Sequence, residues 1–263
     1  MSRFVEAGTW LFEAHERREP FRPLPQALAP RTEEEAYAVQ DAFVALRANK
    51  RGGIAGYKIA LSSAAMQQFV GVERPQAGVL LESTLLRSPA TVRAGRYVNL
   101  IVEFEVAVEL REDLPAADAP FSRERIMQSV GAVMPAIELA DDRNADYSQL
   151  KDHPLHLIAD NAWSEGAVLG TRVAGWKDID LAAVRGIARI NGSEVGEGKG
   201  ADALGHPCDA AAWVANHLAS LGRGLLRGEL VITGSLITTK TVKAGDRVSF
   251  SLEGLGSAEL RVE

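Results

Sequence analysis

The sequence has little of what secreted proteins, membrane proteins and nucleic-acid binders require. It contains one cysteine, Cys208, so no intrachain disulfide can form, and a reducing cytoplasm is the expected location. No apolar run approaches the roughly 20 residues that span a bilayer, and the N-terminal stretch SRFVEAGTWLFEAHERREP lacks the apolar region of a signal peptide. The 29 basic residues are outnumbered by 35 acidic ones, which argues against nucleic-acid binding.

What remains is typical of a globular enzyme, with 46% hydrophobic and 24% charged residues. Residues 1–75 predict a small α/β segment, which includes a helix that begins after Thr32 and a short strand, IAGYKIAL. Residues 76–263 predict a β-rich catalytic domain with two helices and a hairpin at Asn191-Gly192. Strands and helices do not alternate regularly, so the expected class is α+β and not a doubly wound sheet or a (β/α)₈ barrel.

Two acidic side chains share one face of the strand YVNLIVEFEVAVEL. Because side chains alternate along a strand, Glu103 and Glu105 project the same way, about 6.6 Å apart at their Cα atoms. Two carboxylates at that distance repel each other unless something offsets their charge. Water on a solvated face, a pairing lysine or arginine, or a bridging divalent cation could do so, and hard cations such as Mg²⁺ prefer oxygen ligands.

A third acid and a lysine lie in apolar surroundings. Glu138 stands between Ile137 and Leu139 in VGAVMPAIELADDR, where an ionised side chain is costly unless it is paired or binds a metal. A salt bridge to Arg143 or Lys58 is the alternative to a metal ligand. Lys58, inside the strand GYKIAL, either pairs with acids, binds an anionic group, or passes its stem through the core to reach water.

These segments resemble, in order and over nearly the whole chain, the 2-keto-4-pentenoate hydratase and 4-oxalocrotonate decarboxylase family of the fumarylacetoacetate hydrolase superfamily. The resemblance is carried by GYKIAL with the helix and acidic turn after it, by EFE at 103–105, by PAIELADDR, by IADNA at 158–162, and by the segment that ends in GSLITT. Each piece is weakly specific alone, whereas their common order is specific.

Carried over position by position, the resemblance implies a metal site and a catalytic lysine. Glu103, Glu105 and Glu138 match the ligands of a divalent metal, Mg²⁺ or Mn²⁺, and Lys58 matches the active-site lysine. Glu82 stands where relatives carry an aspartate that acts in proton transfer, one methylene shorter.

The resemblance also indicates contacts with substrate and two departures from the family pattern. We expect Lys58, Arg143 and Trp163 to bind the substrate, Arg143 because the anion needs a further positive group. Asp142 replaces the usual serine of a DSR segment. Trp163 stands where relatives carry serine after ADNA, so the shape of the substrate or the activity is expected to differ here.

The implied fold is a β-rich, fumarylacetoacetate-hydrolase-like roll of mixed sheets. The implied activity is a metal-dependent lyase that hydrates a 2-hydroxy-2,4-dienoate to a 4-hydroxy-2-oxo acid in the degradation of aromatic compounds. The alternatives are 4-oxalocrotonate-type decarboxylation, an acylpyruvate-type carbon–carbon hydrolase with His153 or His156 as base, and a weakly active partner subunit. The resemblance further implies a ring-like homo-oligomer, or association with a related hydratase or decarboxylase, and a small 2-oxo or 2-hydroxydienoate acid as substrate.

Overall fold

A computed structural model of the chain describes residues 2–263. The helices of this region are α1 (Arg3–Glu16), α2 (Glu33–Arg51), α3 (Ala64–Val70), α4 (Arg123–Ser129), α5 (Pro154–Ala159) and α6 (Pro207–Ser220). Its strands are β1 (Ile54–Ala60), β2 (Gln76–Leu81), β3 (Leu85–Arg87), β4 (Ala90–Val92), β5 (Leu100–Leu110), β6 (Val130–Asp141), β7 (Ser164–Leu169), β8 (Arg185–Ile190), β9 (Ser193–Lys199), β10 (Leu230–Ser235), β11 (Lys240–Thr241), β12 (Arg247–Leu252) and β13 (Gly256–Val262). None of the helices in residues 2–263 combines the length and the apolar character that crossing a membrane requires.

In the described residues the strands form two mixed sheets. The first has the order β2-β1-β10-β5-β6-β7-β3, with β11 added to β5, and the second has the order β4-β13-β12-β8-β9. The pairs β1–β10, β3–β7 and β4–β13 are parallel and the others are antiparallel. This confirms the predicted α+β roll of mixed sheets. The expected boundary at residue 75 falls between β1 and β2, which pair with each other.

The two long strands β5 and β6 place their alternating residues on two different cores. One face of β5 carries Phe104, which packs against Phe250 of the second sheet with ring centroids 5.5 Å apart. The other face carries Ala107, which joins Met134 and Ala136 of β6 in a small apolar cluster of the first sheet. Because side chains alternate, Glu103 and Glu105 of β5 lie on this second face, next to the cluster along the strand.

Helices α1 and α2 pack together at the edge of the first sheet. The hydroxyl of Thr32 accepts a hydrogen bond from the Glu35 backbone N–H at 3.2 Å, so α2 begins where the sequence predicts. Phe43 of α2 and Leu11 of α1 are buried in one cluster, together with Ala159 at the end of α5. This packing holds the segment after α5 against the large sheet.

The structure corrects two local expectations. The helix expected to run through IMQSVGAV ends at Ser129, because Val130 begins β6 and pairs with Leu110 of β5. The segment VGEGKG, expected as a flexible loop, forms the second half of β9 up to Lys199. The predicted hairpin is confirmed, since Asn191 and Gly192 join β8 to β9 with φ of 54° and 84°.

Candidate metal centre and its cavity

Three carboxylates meet on the inner face of the large sheet. Glu103 and Glu138 are directly paired across β5 and β6, and Glu105 lies two residues along on the same face of β5. Each offers one oxygen, and these oxygens all lie within 4.8 Å of one another. Glu105 and Glu138 are fully buried and Glu103 is partly exposed. Glu103 and Glu105 therefore project from the same face of β5, as alternation along the strand predicts.

The surroundings of these carboxylates make their negative charge costly. Burial raises the pKa of the Glu105 carboxyl well above its usual range, and the neighbouring Glu138 and Glu103 carboxylates raise it further. Burial likewise raises the pKa of Glu138, although Lys58 opposes this effect. Like charges directly opposite on neighbouring strands are destabilising, so the cluster calls for positive charge.

The residues present fit a divalent cation. Oε1 of Glu105 and Oε1 of Glu138 are buried without a hydrogen-bond partner among the described residues. Oε2 of Glu105 accepts from the Gly234 backbone N–H at 2.6 Å, and Oε1 of Glu103 accepts from the Thr239 hydroxyl at 2.7 Å. One oxygen of Glu105 and one of Glu103 are thus oriented by β10 and the segment after it. Oε1 of Glu105 and Oε1 of Glu138 remain available to a ligand. Free, clustered carboxylate oxygens are the ligands that Mg²⁺ and Mn²⁺ prefer.

Lys58 is the positive side chain of the cluster. Its Nζ lies 3.1 Å from Oε2 of Glu138, and its side chain is buried. Burial alone would lower the pKa of the ammonium, but Glu138, Glu103 and Glu105 outweigh it and the pKa is raised. Gly78, its partner on β2, leaves the space for the lysine stem, since a Cβ there would lie 2.9 Å from Cγ of Lys58. The salt bridge that the sequence left open as an alternative therefore coexists with the three-carboxylate cluster.

A cavity of about 340 Å³ opens beside this cluster. Lys58, Glu103 and Trp163 line it, together with residues of α3, of the 3₁₀ turn around Leu150 and of the segment after β10. Its size lies at the small end of the range for ligand cavities, about 300–1,000 Å³. The structure thus brings five of the expected site residues to one place: Lys58, Glu103, Glu105, Glu138 and Trp163.

Trp163 stands in an unusual backbone conformation. Asn161, Ala162 and Trp163 have φ of 53°, 49° and 59°, a left-handed turn that bulky residues rarely adopt. The Asn161 side chain secures the turn, because it accepts from the Val79 N–H at 2.7 Å and donates to the Val79 carbonyl at 3.0 Å. The indole then packs edge-on against Phe21 and Tyr147. Strain of this kind concentrates at functional sites.

Two expected site residues lie elsewhere. Glu82 is exposed in the 3₁₀ turn after β2 and accepts a hydrogen bond from the Gly53 N–H at 3.1 Å. Arg143 is 1% exposed and donates to Asp160 in a buried ion pair. Neither lines the cavity. Glu82 turns away because the strand ends at Leu81, and Arg143 is directed to Asp160, a buried acid that needs a cation.

The two histidines considered as hydrolytic bases also lie outside the cavity lining. Their rings contact each other, with centroids 5.1 Å apart, in and before α5. Burial, together with the adjacent His153, lowers the pKa of His156 to about 4. A hydrolase that used either as a base is not supported by this placement.

Sequence reasoning missed the polar groups that orient the carboxylates and the aromatic wall of the cavity. The Gly234 N–H and the Thr239 hydroxyl lie in the segment ITGSLITT, whose run of hydroxyl residues after an apolar strand was the available signal. Tyr147 lines the cavity and donates its hydroxyl to Asp142 at 3.0 Å. Asp142 thus holds Tyr147 in the wall of the cavity.

Comparisons with known proteins show the family of the chain. A sequence model of the family described as fumarylacetoacetate (FAA) hydrolase C-terminal matches residues 54–263. The chain is 34% identical to a 2-keto-4-pentenoate hydratase of Paraburkholderia phymatum over 97% of its own length and 96% of that protein. It is 30% identical to a 4-oxalocrotonate decarboxylase of Pseudomonas putida, over 86% of this chain and 84% of the relative. A structure of 4-oxalocrotonate decarboxylase from Pseudomonas putida G7, complexed with magnesium and adipate, superposes with a TM-score of 0.90 at 27% identity and covers 100% of this chain and 99% of that one.

Proposed function

The chain belongs to the fumarylacetoacetate hydrolase family, and we propose that it is a divalent-metal-dependent hydro-lyase that converts a 2-hydroxy-2,4-dienoate into a 4-hydroxy-2-oxo acid. The observation that carries the proposal is the cluster of Glu103, Glu105 and Glu138 with Lys58, at the wall of a small cavity. The full-length similarity to a 2-keto-4-pentenoate hydratase supports the choice of reaction.

The three glutamates would hold the metal. A divalent metal is supported by the magnesium in the similar decarboxylase structure and by the free carboxylate oxygens here. We propose Mg²⁺ or Mn²⁺ as the ion. When bound, it supplies a Lewis acid for the oxygens of a 2-oxo acid and so stabilises the enolate that the reaction requires.

The side chains of this protein would position and shield the substrate. In the reaction, a proton moves from the 2-hydroxyl group to C5, and water then adds its hydroxyl to C4 and its hydrogen to C3. Lys58, beside Glu138, donates hydrogen bonds near the carboxylate end of the substrate. Trp163 and its neighbours cover the dienoate chain and exclude bulk water.

Decarboxylation of a 4-oxalocrotonate-type acid is the second candidate. It is favoured by the structural similarity to a decarboxylase over the entire chain. The same three glutamates would hold the metal, whose Lewis acidity would serve loss of CO₂ as well as hydration, so the carboxylate cluster alone does not separate the two reactions.

Turnover distinguishes these reactions. The purified protein with Mg²⁺ is given 2-hydroxypenta-2,4-dienoate and, separately, 2-hydroxyhexa-2,4-dienedioate, and the loss of ultraviolet absorbance is followed with mass analysis of the product. A gain of one water from the first acid supports the hydro-lyase, and loss of CO₂ from the second supports the decarboxylase. Two carbon fragments would indicate a hydrolase, whereas no turnover would contradict the proposal and favour a partner subunit.

The metal site is tested by a pair of substitutions on one strand. Glu105→Gln is expected to abolish both Mg²⁺ binding, measured by calorimetry, and activity. Glu109→Gln is the matched control, since Glu109 lies further along β5 and pairs with Arg172 outside the cluster. Retention of Mg²⁺ binding in Glu105→Gln, or an equal loss in both variants, would refute the ligand assignment.

A further inference from the structure

A groove of about 900 Å³ lies apart from the carboxylate cluster. It is formed mainly by the C-terminal ends of α1 and α2, by β3 and β4, and by the segment between β4 and β5. None of the described residues that line it also lines the cavity beside Lys58. The β6 residue in its lining, Leu139, projects from the opposite face to Glu138, because side chains alternate along a strand. The groove and the cavity are therefore separate sites.

The groove is cationic, although the chain as a whole has a formal net charge of −6. Five lysine or arginine side chains and three glutamates line it, which leaves a formal excess of two positive charges. The five cationic residues, after which we call it the arginine groove, are Arg18, Lys50, Arg51, Arg93 and Arg96. They come from three separate segments of the chain, so the fold collects like charges at this place.

The glutamates of the arginine groove do not offset all of this charge, because each of them has a partner of its own. The pairs are Glu16 with Lys50, Glu165 with Arg47 and Arg51, and Glu263 with Arg261. Two of these partners, Arg47 and Arg261, lie outside the lining and add further positive charge beside it. The acids of the arginine groove are thus already neutralised within the protein.

Three arginines of the groove have no acidic partner. Within residues 2–263, Arg18, Arg93 and Arg96 form no salt bridge. Nη1 of Arg18 donates to the Gly95 carbonyl at 2.6 Å, which attaches its guanidinium group to the short turn that carries the other two. The backbone of Arg18 has a φ of 53°, a conformation that residues other than glycine rarely adopt. Three guanidinium groups therefore stand on or against one turn with no carboxylate to offset their charge.

The lining also fits the remaining chemistry of an organic anion. A guanidinium group presents paired N–H donors that match two oxygens of a phosphate or a carboxylate. The hydroxyls of Ser83 and Thr91 have no hydrogen-bond partner among the described residues, and both are exposed in the groove. Leu86 and Val92 supply apolar surface for a carbon skeleton. The volume lies near the upper end of the range for ligand sites, about 300–1,000 Å³.

We propose that the arginine groove binds a small organic anion with at least two negative charges, a phosphate ester or a polycarboxylate, through Arg18, Arg93 and Arg96. The proposal is independent of the proposed function, because the groove contains none of the three glutamates of the cluster. Both ligand classes present oxygens that accept hydrogen bonds from guanidinium groups, so the test includes one of each.

Direct binding is the first test. The full chain with Mg²⁺ is titrated by calorimetry with fructose 1,6-bisphosphate and, separately, with propane-1,2,3-tricarboxylate, at low ionic strength because salt screens exposed charges. At least one of the two anions is expected to bind, and the one that binds more tightly identifies the class of the ligand. Fructose, which lacks the phosphates, should not bind. Binding of neither anion, or binding of fructose as tight as that of the bisphosphate, would overturn the proposal.

A pair of double variants locates the bound anion. Arg93→Gln/Arg96→Gln is expected to weaken binding at least about 10-fold, because it removes two charge-assisted hydrogen-bond donors. Arg111→Gln/Arg227→Gln is the matched control, since it removes the same charge from two exposed arginines that do not line the groove. All four positions are exposed, so both variants are expected to fold. An unchanged affinity in the first variant, or an equal loss in both, would place the anion elsewhere and overturn the proposal.

A second copy of the chain is the competing occupant of the arginine groove. Light scattering after size-exclusion chromatography gives the mass of the wild type and of Arg93→Gln/Arg96→Gln. The two masses are expected to agree, because the arginines are proposed to hold a small ligand and not another subunit. A smaller mass for the variant would show that these arginines maintain an interface between copies and would overturn the proposal.

Discussion

At the scale of single residues, the site is a balance of charges within a few ångströms. Glu103 and Glu138 face each other across a strand pair, and Lys58 contacts only the latter. With Glu105, the cluster formally carries three negative charges and one positive charge, and all but Glu103 are buried. A divalent cation held by the three glutamates, as proposed, would bring the formal charge of the cluster to zero.

Replacing the lysine should separate metal binding from catalysis. Lys58→Met is expected to reduce kcat at least about 100-fold, because it removes the hydrogen-bond donor at the polar end of the cavity. Mg²⁺ affinity should be kept or increased, since a competing positive charge is lost. Lys50→Met is the control, as Lys50 of α2 pairs with Glu16 at the surface. Loss of Mg²⁺ binding in Lys58→Met would show that the lysine instead maintains the fold of the cluster.

The tryptophan in the wall should limit the substrates that fit. Trp163→Ser is expected to broaden activity toward other short dienoates, because it removes the indole from the cavity, at a cost to stability of about 3–5 kcal/mol. Trp163→Phe keeps an aromatic ring and is expected to keep the wild-type profile. Kinetics on a series of dienoates check this prediction, and an unchanged profile in Trp163→Ser would mean that the position is only structural.

The sequence predicted those site residues whose placement follows a local rule. Alternation along a strand put Glu103 and Glu105 on one face, and the apolar neighbours of Glu138 indicated burial. Arg143 could not be placed in this way, because its partner Asp160 lies 17 residues away in a different element. The metal-ligand role of the three glutamates stays a prediction that the substitutions above test.

At the scale of elements, a buried ionic network connects the N-terminal helices to the turn that carries Trp163. His15 of α1 lies 2.6 Å from Asp160 through Nε2 and 3.3 Å from Glu165 of β7 through Nδ1. Arg47 of α2 donates to Glu165 at 2.8 Å, and Arg143 donates to Asp160. Asp160 directly precedes the left-handed turn that carries Trp163. Helices α1 and α2 therefore stabilise the wall of the cavity without lining it.

This network predicts an unusual pH dependence for His15. Burial alone would lower the pKa of His15, but the Asp160 carboxylate, with Glu165, raises it above the usual value. A raised pKa means that the charged ring stabilises the fold below its unfolded pKa, about 6.5, and that this contribution is lost as pH rises through the folded pKa. His15→Asn should therefore destabilise the protein more at about pH 6 than at about pH 9, as measured by denaturant unfolding.

His217 is the control with the opposite sign. It packs against Tyr37 and Trp213, and burial lowers its pKa to about 4. A neutral buried ring stabilises the fold above its unfolded pKa, and this contribution is lost as pH falls. The cost of His217→Asn should thus grow with pH, and an equal pH response of the two variants would contradict the role assigned to the network.

The boundaries of elements were predictable only where a local signal marks them. Thr32 is the N-cap of α2 because its hydroxyl accepts a hydrogen bond from the Glu35 N–H, and Asn191-Gly192 forms the expected hairpin turn. The end of α4 at Ser129 depends on the pairing of β6 with β5, and the strand character of VGEGKG depends on its pairing with β8 across the hairpin. Position 198 of β9 accommodates glycine because the Cβ of any other residue would lie 2.0 Å from the Leu236 carbonyl oxygen. No short window of sequence shows this close approach.

At the scale of the whole molecule, the first sheet both contributes to the main hydrophobic core and carries the proposed site. One of its faces is buried against the second sheet and α6, while the opposite face carries the three carboxylates beside Ala107 and Ala136. The Asn161 amide connects β2 to the turn before β7 and so ties the two sides of the sheet. The first sheet thus holds the carboxylates of Glu103, Glu105 and Glu138 close together, where they repel one another in the absence of a cation.

This arrangement predicts that the metal stabilises the entire fold. Mg²⁺ at about 100 times its dissociation constant should add about 2.7 kcal/mol, which corresponds to a rise in Tm of about 5–10 °C for a chain of this size. Glu105→Gln removes one of the repelling charges, so its metal-free form should be at least as stable as metal-free wild type and should not respond to Mg²⁺. Thermal unfolding with and without Mg²⁺ checks both statements. The prediction would be wrong if the wild-type Tm did not change with Mg²⁺ or if Glu105→Gln were less stable than wild type without metal. Either result would show that groups of the protein, and not a metal, offset the charge of the three carboxylates.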